Sequence, residues 1–275
     1  MSDRRVNDRH DADRGGQDVH MLLARCCVLF AVLASTMTMT LSAADQGREI
    51  VLEAQTRTEV ASQRYEGLLQ VFDTAGKVSD KRWTLMRLGS HGRSKAVLRF
   101  TAPAEVKGVA LLIVNHPDRA SDQWMWTPAI ERDRRIALQD RSTRFFGTDF
   151  SFEDLEERDI DHYEYSMSGE EAIEGEPCWR IEARPRPGKK SQYTRSVMWI
   201  RKNYTYAQME NYSEDKLIRR LKYRRMENAQ GIWTARTLEI EDFTRSSRTI
   251  LKLESLKYNL LLTDDQFSVQ ALRRG

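Results

Sequence analysis

Cysteine and histidine are scarce in this 275-residue chain, and their scarcity rules out much of what a protein of this size could do. The three cysteines stand at positions 26, 27 and 178. His91, His116 and His162, in the body of the chain, fall at no zinc-signature spacing from Cys, Asp or Glu. A Gly-x-Ser-x-Gly elbow, a phosphate loop and a dinucleotide fingerprint are all missing, so no cofactor or metal is expected and a hydrolase would need dispersed catalytic residues. An excess of one charge is missing too. Forty-four basic residues face 41 acidic ones, for a net charge of +3, which reads as a solvated surface of mixed sign. Nucleic-acid binding calls for a clustered basic footprint. The nearest approach to one, Arg219-Arg220 with Lys222 and Arg224-Arg225, alternates with apolar residues as a solvated strand face does.

A long hydrophobic run is also lacking. The apolar stretch Cys26–Ala34 is shorter than the roughly 20 residues a membrane-spanning helix needs. Preceded by Arg25 and followed by Leu41-Ser42-Ala43-Ala44, it reads as a cleavable export signal ending near Ala44. The polar residues 1–20 read as an extension ahead of a start at Met21, the alternative being a twin-arginine address at Arg4-Arg5. Arg25 before Cys26 is the wrong neighbour for lipidation. This organisation predicts an extension and signal over residues 1–44 and one exported, periplasmic domain over residues 45–275. Its one cysteine, Cys178, opens the apolar run Cys178-Trp179-Arg180-Ile181 and reads as a small buried hydrophobe. With no intramolecular disulfide available, stability must come from the core.

What is present is mostly strand. Residues 46–62 read as one helix with Asp45 as N-cap and Ile50, Val51 and Ala54 at helical spacing. Strands are expected at 68–72, around Trp83-Thr84-Leu85-Met86, and at 95–100, 109–114, 123–127, 163–167, 178–183, 193–201, 207–212, 217–226, 232–243 and 249–258, many bounded by turns containing Gly. The continuous apolar run Val109–Val114 should be covered on both faces. Trp124 and Trp126 share a face opposite Met125, and Leu221 and Tyr223 oppose Arg220, Lys222 and Arg224. This succession predicts a large antiparallel sheet or an open barrel, with one face apolar and one wet.

The strand pattern lapses between Gln139 and Glu157. There Phe145, Phe146, Phe150 and Phe152 surround Gly147-Thr148-Asp149, and Ser151 with Asp154 resembles a helix-start pattern. A short helix near Phe152, acting as a movable lid over a cavity, is one reading. An aromatic plug with no ligand is the other. The carboxylates Glu153, Asp154, Glu156 and Glu157 read as a solvated helix face.

Three stretches, LRFTAPAEVKGVALLI (98–113), WMWTPAIERDRRI (124–136) and FFGTDFSFEDL (145–155), followed by EGEPCWRIEARP (174–185) and YTRSVMWI (193–200), resemble the outer-membrane lipoprotein-sorting family with a LolA-like fold. The resemblance covers essentially all of the expected domain. It implies a mainly β fold, an incomplete and strongly curved antiparallel barrel with an N-terminal helix and a central helical lid, holding an acyl chain in an apolar cavity. It also implies a monomeric periplasmic carrier, in transient contact with membranes, whose partner is an inner-membrane lipid exporter of the resistance-nodulation-division type. No catalytic residues carry over. The expected cavity and lid residues are Trp83, Leu85, Phe100, Leu111, Ile113, Trp124, Trp126, Phe145, Phe146, Phe150, Phe152, Trp199, Leu221 and Tyr223. Two competing readings are an envelope sensor of the same fold and a lipid-modifying hydrolase.

Overall fold

The computed structural model describes residues 42–274, so the expectations for the extension, the apolar run, Cys26 and Cys27 lie outside the described residues. The chain opens with a helix, α1 (Ala43–Thr56), and the expected cleavage point at Ala44 falls in its first turn. The helix starts and stops earlier than the expected 46–62. Ser42, not Asp45, is the N-cap, its side chain accepting from the Asp45 N–H. At the other end Thr56, Thr58 and Val60 are β-branched and poor at continuing a helix, and Thr58 Oγ1 donates to the Gln55 carbonyl to close the last turn.

Thirteen strands follow: β1 (Ser62–Phe72), β2 (Val78–Leu88), β3 (Lys95–Ala102), β4 (Ala110–Val114), β5 (Asp122–Thr127), β6 (Arg132–Arg135), β7 (Tyr163–Ile173), β8 (Glu176–Pro185), β9 (Arg195–Arg201), β10 (Tyr206–Ser213), β11 (Lys216–Ala229), β12 (Ile232–Asp242) and β13 (Ser247–Tyr258). A short helix, α2 (Val269–Arg274), ends the described chain. Every expected strand is present, most of them longer than the apolar runs that mark them. β6, whose sequence Arg-Asp-Arg-Arg carries no apolar signal, was not foreseen.

All pairings are antiparallel and form one sheet in the order β6-β5-β4-β3-β2-β1-β13-β12-β11-β10-β9-β8-β7. The sheet is curved and does not close, since β6 and β7 are its two edges. Between β1 and β13 the register shifts at Gly67, where a Cβ would lie 1.9 Å from the Lys252 carbonyl oxygen, so only glycine lets the two backbones meet there.

This topology explains the lapse in the strand pattern. β6 and β7 are consecutive in sequence yet lie at opposite edges, so residues 136–162 must cross from one edge to the other. They do so over the inner face, among the side chains of both halves of the sheet. Phe145 and Phe152 sit with Leu69, Trp83, Leu98, Phe100, Leu111 and Ile113, while Phe150 sits with Ile50, Val51, Ile181, Met198 and Ile200.

The crossing segment contains no α-helix, which corrects the expected helical lid. Ser151 and Asp154 do make the helix-start contacts, with the Ser151 N–H donating to Asp154 Oδ2 at 2.7 Å and the Asp154 N–H to Ser151 Oγ at 3.2 Å. Asp154, however, also accepts from Tyr193 and Arg219 at 2.7 Å each, and these long-range bonds hold the chain as turns. Gly147 at φ +74° and Phe146 at φ +44° reverse the chain sharply. The reversal is pinned by Asp149, fully buried, which accepts from Arg144, Ser247 and Thr249.

On the outer face, Val97, Ala110 and Leu112 of β3 and β4 are covered by Phe267 and Leu272 of the C-terminal segment. β4 is therefore buried on both sides, as its unbroken apolar sequence requires. Cys178 is fully buried in a smaller outer cluster with Val197, Trp199 and Ala207. Among the described residues no helix is long and apolar enough to cross a membrane.

Candidate functional site

Filling of the inner face is uneven. Against β1 to β4 the phenylalanines of the crossing segment pack as core, whereas a cavity of about 950 Å³ remains between the crossing segment and β10 to β12, reaching Tyr65 of β1 and Arg87 of β2. Its wall is built by strand alternation. Leu221 and Tyr223 of β11 face inward, and their cross-strand partners Met209 of β10, Ile240 and Leu238 of β12 lie on the same face. Tyr206 and Tyr223 stack obliquely, ring centroids 5.6 Å apart, and Tyr65 and Tyr163 also line the cavity. Burial pushes the phenols of Tyr206 and Tyr223 above their ordinary range, so both are protonated hydroxyl donors at neutral pH.

A belt of ion pairs surrounds this tyrosine wall. Arg87 meets Glu157 at 2.8 Å and Arg141 meets Glu156 at 2.7 Å; Arg119 and His116 both engage Asp122, and His162 lies 3.2 Å from Asp159. Asp122 is held well below the usual carboxylate range by its hydrogen bond from Arg119, reinforced by Arg135 and His116. Glu156 goes the other way. Burial raises its carboxyl to about 7 against the pull of Arg141 and the hydrogen bond from Gln123 Nε2.

The carboxylates expected on a solvated helix face are therefore structural. Glu153 accepts from Ser191 and the Gln192 N–H, and Asp154 is locked to Arg219, which is itself nearly buried. Arg219 does not share the wet face of β11. It has the same strand parity as Leu221 and points inward, and Asp154, Asp242 and the Tyr193 hydroxyl make that burial tolerable.

Of the residues expected to line a cavity or lid, Leu221 and Tyr223 do line it. Trp83, Leu85, Phe100, Leu111, Ile113, Phe145, Phe146 and Phe152 gather on the inner face but pack on one another as core. Phe150 joins the core under α1. Trp124 and Trp126 do share a face, but it is the outer one, under Phe267 and Leu272, while Gln123 and Met125 point inward. Trp199 is likewise outside, its Nε1 donating to Glu171 at 2.9 Å. Strand alternation reveals that two residues share a face without revealing which face is inside. Tyr65, Tyr206, Met209 and Leu238 were missed. For Met209 and Leu238 a signal existed, since pairing the neighbouring hairpins around Leu221 and Tyr223 would have brought them to the same face. Arg158 and Tyr163 belong to the crossing segment and its junction with β7, where no periodicity applies.

Among the described residues no cluster of three or more His, Cys, Asp or Glu side chains is placed to hold a metal ion. What this site offers is a partly enclosed wall of aromatic, aliphatic and hydroxyl groups beside charges that are mostly paired, suited to holding a molecule.

The fold has clear relatives among solved structures. A domain from Vibrio parahaemolyticus described as an outer membrane lipoprotein-sorting protein domain is 27% identical, with a TM-score of 0.80 over 84% of this chain and 100% of that one. A DUF1329 family protein from Desulfovibrio piger is 26% identical, again with a TM-score of 0.80, over 84% of this chain and 99% of its own. A LolA superfamily protein from Nitrosomonas europaea, 18% identical, shares the fold with a TM-score of 0.65 over 82% and 99% of the two chains. No curated protein matches the sequence. Residues 92–274 match a family model described as an uncharacterized protein. The chain belongs to that family, and its fold is that of the LolA-like outer-membrane lipoprotein-sorting proteins.

Proposed function

We propose that the protein is an exported carrier, acting in the periplasm, that holds the acyl portion of a lipid or lipoprotein in the cavity over β10 to β12 and performs no catalysis. The observation that carries this reading is the uneven filling of the inner face. A cavity of about 950 Å³ stays open on the inner face, with Leu221, Leu238, Met209, Tyr206 and Tyr223 on its strand wall and charged and polar residues of the crossing segment opposite. That volume is in the range of small-molecule sites, and each methylene moved from water onto such a wall is worth about 0.8 kcal/mol. The relatives named for lipoprotein sorting support the same class of cargo. Delivery to an inner-membrane exporter of the resistance-nodulation-division type, by a monomer touching membranes transiently, is the transfer role we infer.

The test is to express the exported protein, extract it with organic solvent and identify the extract by mass spectrometry, then titrate the delipidated protein with a long-chain lipid. A near-stoichiometric amphiphile in the extract and saturable rebinding are expected. Saturable rebinding should leave Trp124 and Trp126 emission unchanged, because both lie on the outer face. Failure to bind any long-chain amphiphile, together with a stable protein partner, would replace the carrier by a sensor of the same fold.

A further inference from the structure

The arginines that line the cavity differ in one respect. Arg87, Arg119 and Arg141 each pair with a carboxylate, at 2.8, 2.7 and 2.7 Å. Arg158, among the described residues, pairs with none. Its Nη2 donates to Ser196 Oγ at 3.0 Å, and that hydroxyl donates on to Asn211 Oδ1 at 2.7 Å, so the chain ends on a neutral amide. The guanidinium lies against the Tyr163 ring, its Cζ 4.5 Å from the centroid, and its Nη1 is buried with no acceptor among the described residues. The adjacent Asp159 is engaged instead by His162. A half-buried guanidinium with one nitrogen sealed from water and no anion beside it is costly, and hydroxyls and a ring face replace only part of what water supplied.

The surroundings are arranged for an anion. Tyr206 and Tyr223 share the wall with Arg158, and neither hydroxyl has a hydrogen-bond partner among the described residues. Leu221, Leu238 and Met209 continue the same wall as apolar surface. The site thus provides a positive charge and two phenolic donors beside an aliphatic strip. Resting on the carrier reading, and deepening it, we propose that Arg158 selects an amphiphile with an anionic headgroup, a carboxylate or phosphate that settles against Arg158 and the Tyr206 and Tyr223 hydroxyls while its chain follows Leu221 and Leu238.

The experiment loads the delipidated full chain with the uncharged dye Nile red and displaces it with dodecanoate, with dodecan-1-ol and with inorganic phosphate. A charge-assisted hydrogen bond to a half-buried cation is worth about tenfold to a hundredfold in affinity. The intact protein should therefore prefer dodecanoate over dodecan-1-ol by that factor, and phosphate alone should displace little. Arg158→Gln should remove the preference by weakening dodecanoate while leaving dodecan-1-ol unchanged, and Arg158→Lys should retain most of it. Circular dichroism checks that each variant is folded, and the comparison of the three ligands on the intact protein stands whether or not Arg158→Gln folds. Equal affinity for acid and alcohol would overturn the proposal and leave the carrier standing. Displacement by phosphate as strong as by dodecanoate would overturn it in favour of a free-anion site, and displacement by neither amphiphile would overturn the carrier reading itself.

Discussion

The two halves of the inner face use aromatic residues for opposite ends. Over β1 to β4 phenylalanines pack in mutual contact beside Trp83, Phe100 stacked on Phe145 with centroids 5.4 Å apart and Phe152 edge-on to Phe145 at 5.7 Å. Over β10 to β12 the rings are tyrosines that border open space. A phenylalanine gains by being enclosed and loses nothing, whereas a tyrosine buried against carbon forfeits a hydroxyl's hydrogen bonds. The phenylalanine half is therefore complete when folded. The tyrosine half is left with donors to offer, which is what a binding wall requires.

This contrast breaks most severely in the phenylalanine half. Phe145→Ala should lower stability by about 3–5 kcal/mol in urea denaturation, since the ring is almost wholly enclosed. Leu221→Ala, beside the cavity, should cost nearer 2 kcal/mol while weakening amphiphile binding. Equal costs at both positions would mean that the cavity is closed in solution.

The belt around the tyrosine wall responds to pH through Glu156. Its carboxyl stands at about 7 in the fold against an ordinary 4.5, so the fold favours the protonated form. The stability this contributes is fully present below about pH 4.5 and is lost as pH rises through about 7, up to roughly 3 kcal/mol in all. Denaturation of the wild type and Glu156→Gln at pH 5 and pH 8 should show the wild type losing ground to the variant as pH rises. Any pH-independent cost of leaving Arg141 without its carboxylate cancels in that difference. A gap that stays constant, or closes in the other direction, would show Glu156 ionised throughout.

The smallest effect belongs to the surface. Arg48 of α1 pairs with Asp161 at 2.7 Å, with both side chains well exposed. Arg48→Ala should change stability by less than about 1 kcal/mol and leave binding untouched. A larger loss would show that α1 is poised to move, blurring the distinction between the packed half and the open one.

Strand positions and the shared faces of Trp124 with Trp126 and of Leu221 with Tyr223 were legible because alternation is a local property, written into each segment by its own side chains. The FFGTDFSFEDL stretch was legible as the place where that property fails, and the family resemblance was legible in its residues. The sequence by itself therefore determined the class of fold, the number of long strands and the aromatic inventory. Which face of β5 turns inward was decided only in the tertiary structure, where the C-terminal segment covers Trp124 and Trp126 from outside. The helix expected near Phe152 gave way because Asp154 finds Arg219 and Tyr193, which are 65 and 39 residues away in sequence. Tertiary structure alone also decided that the phenylalanines would gather against β1 to β4 and that Arg158 would line the cavity with no carboxylate partner among the described residues. These outcomes depend on partners brought together by pairing the first strand with the last, and no local pattern in the chain encodes that pairing.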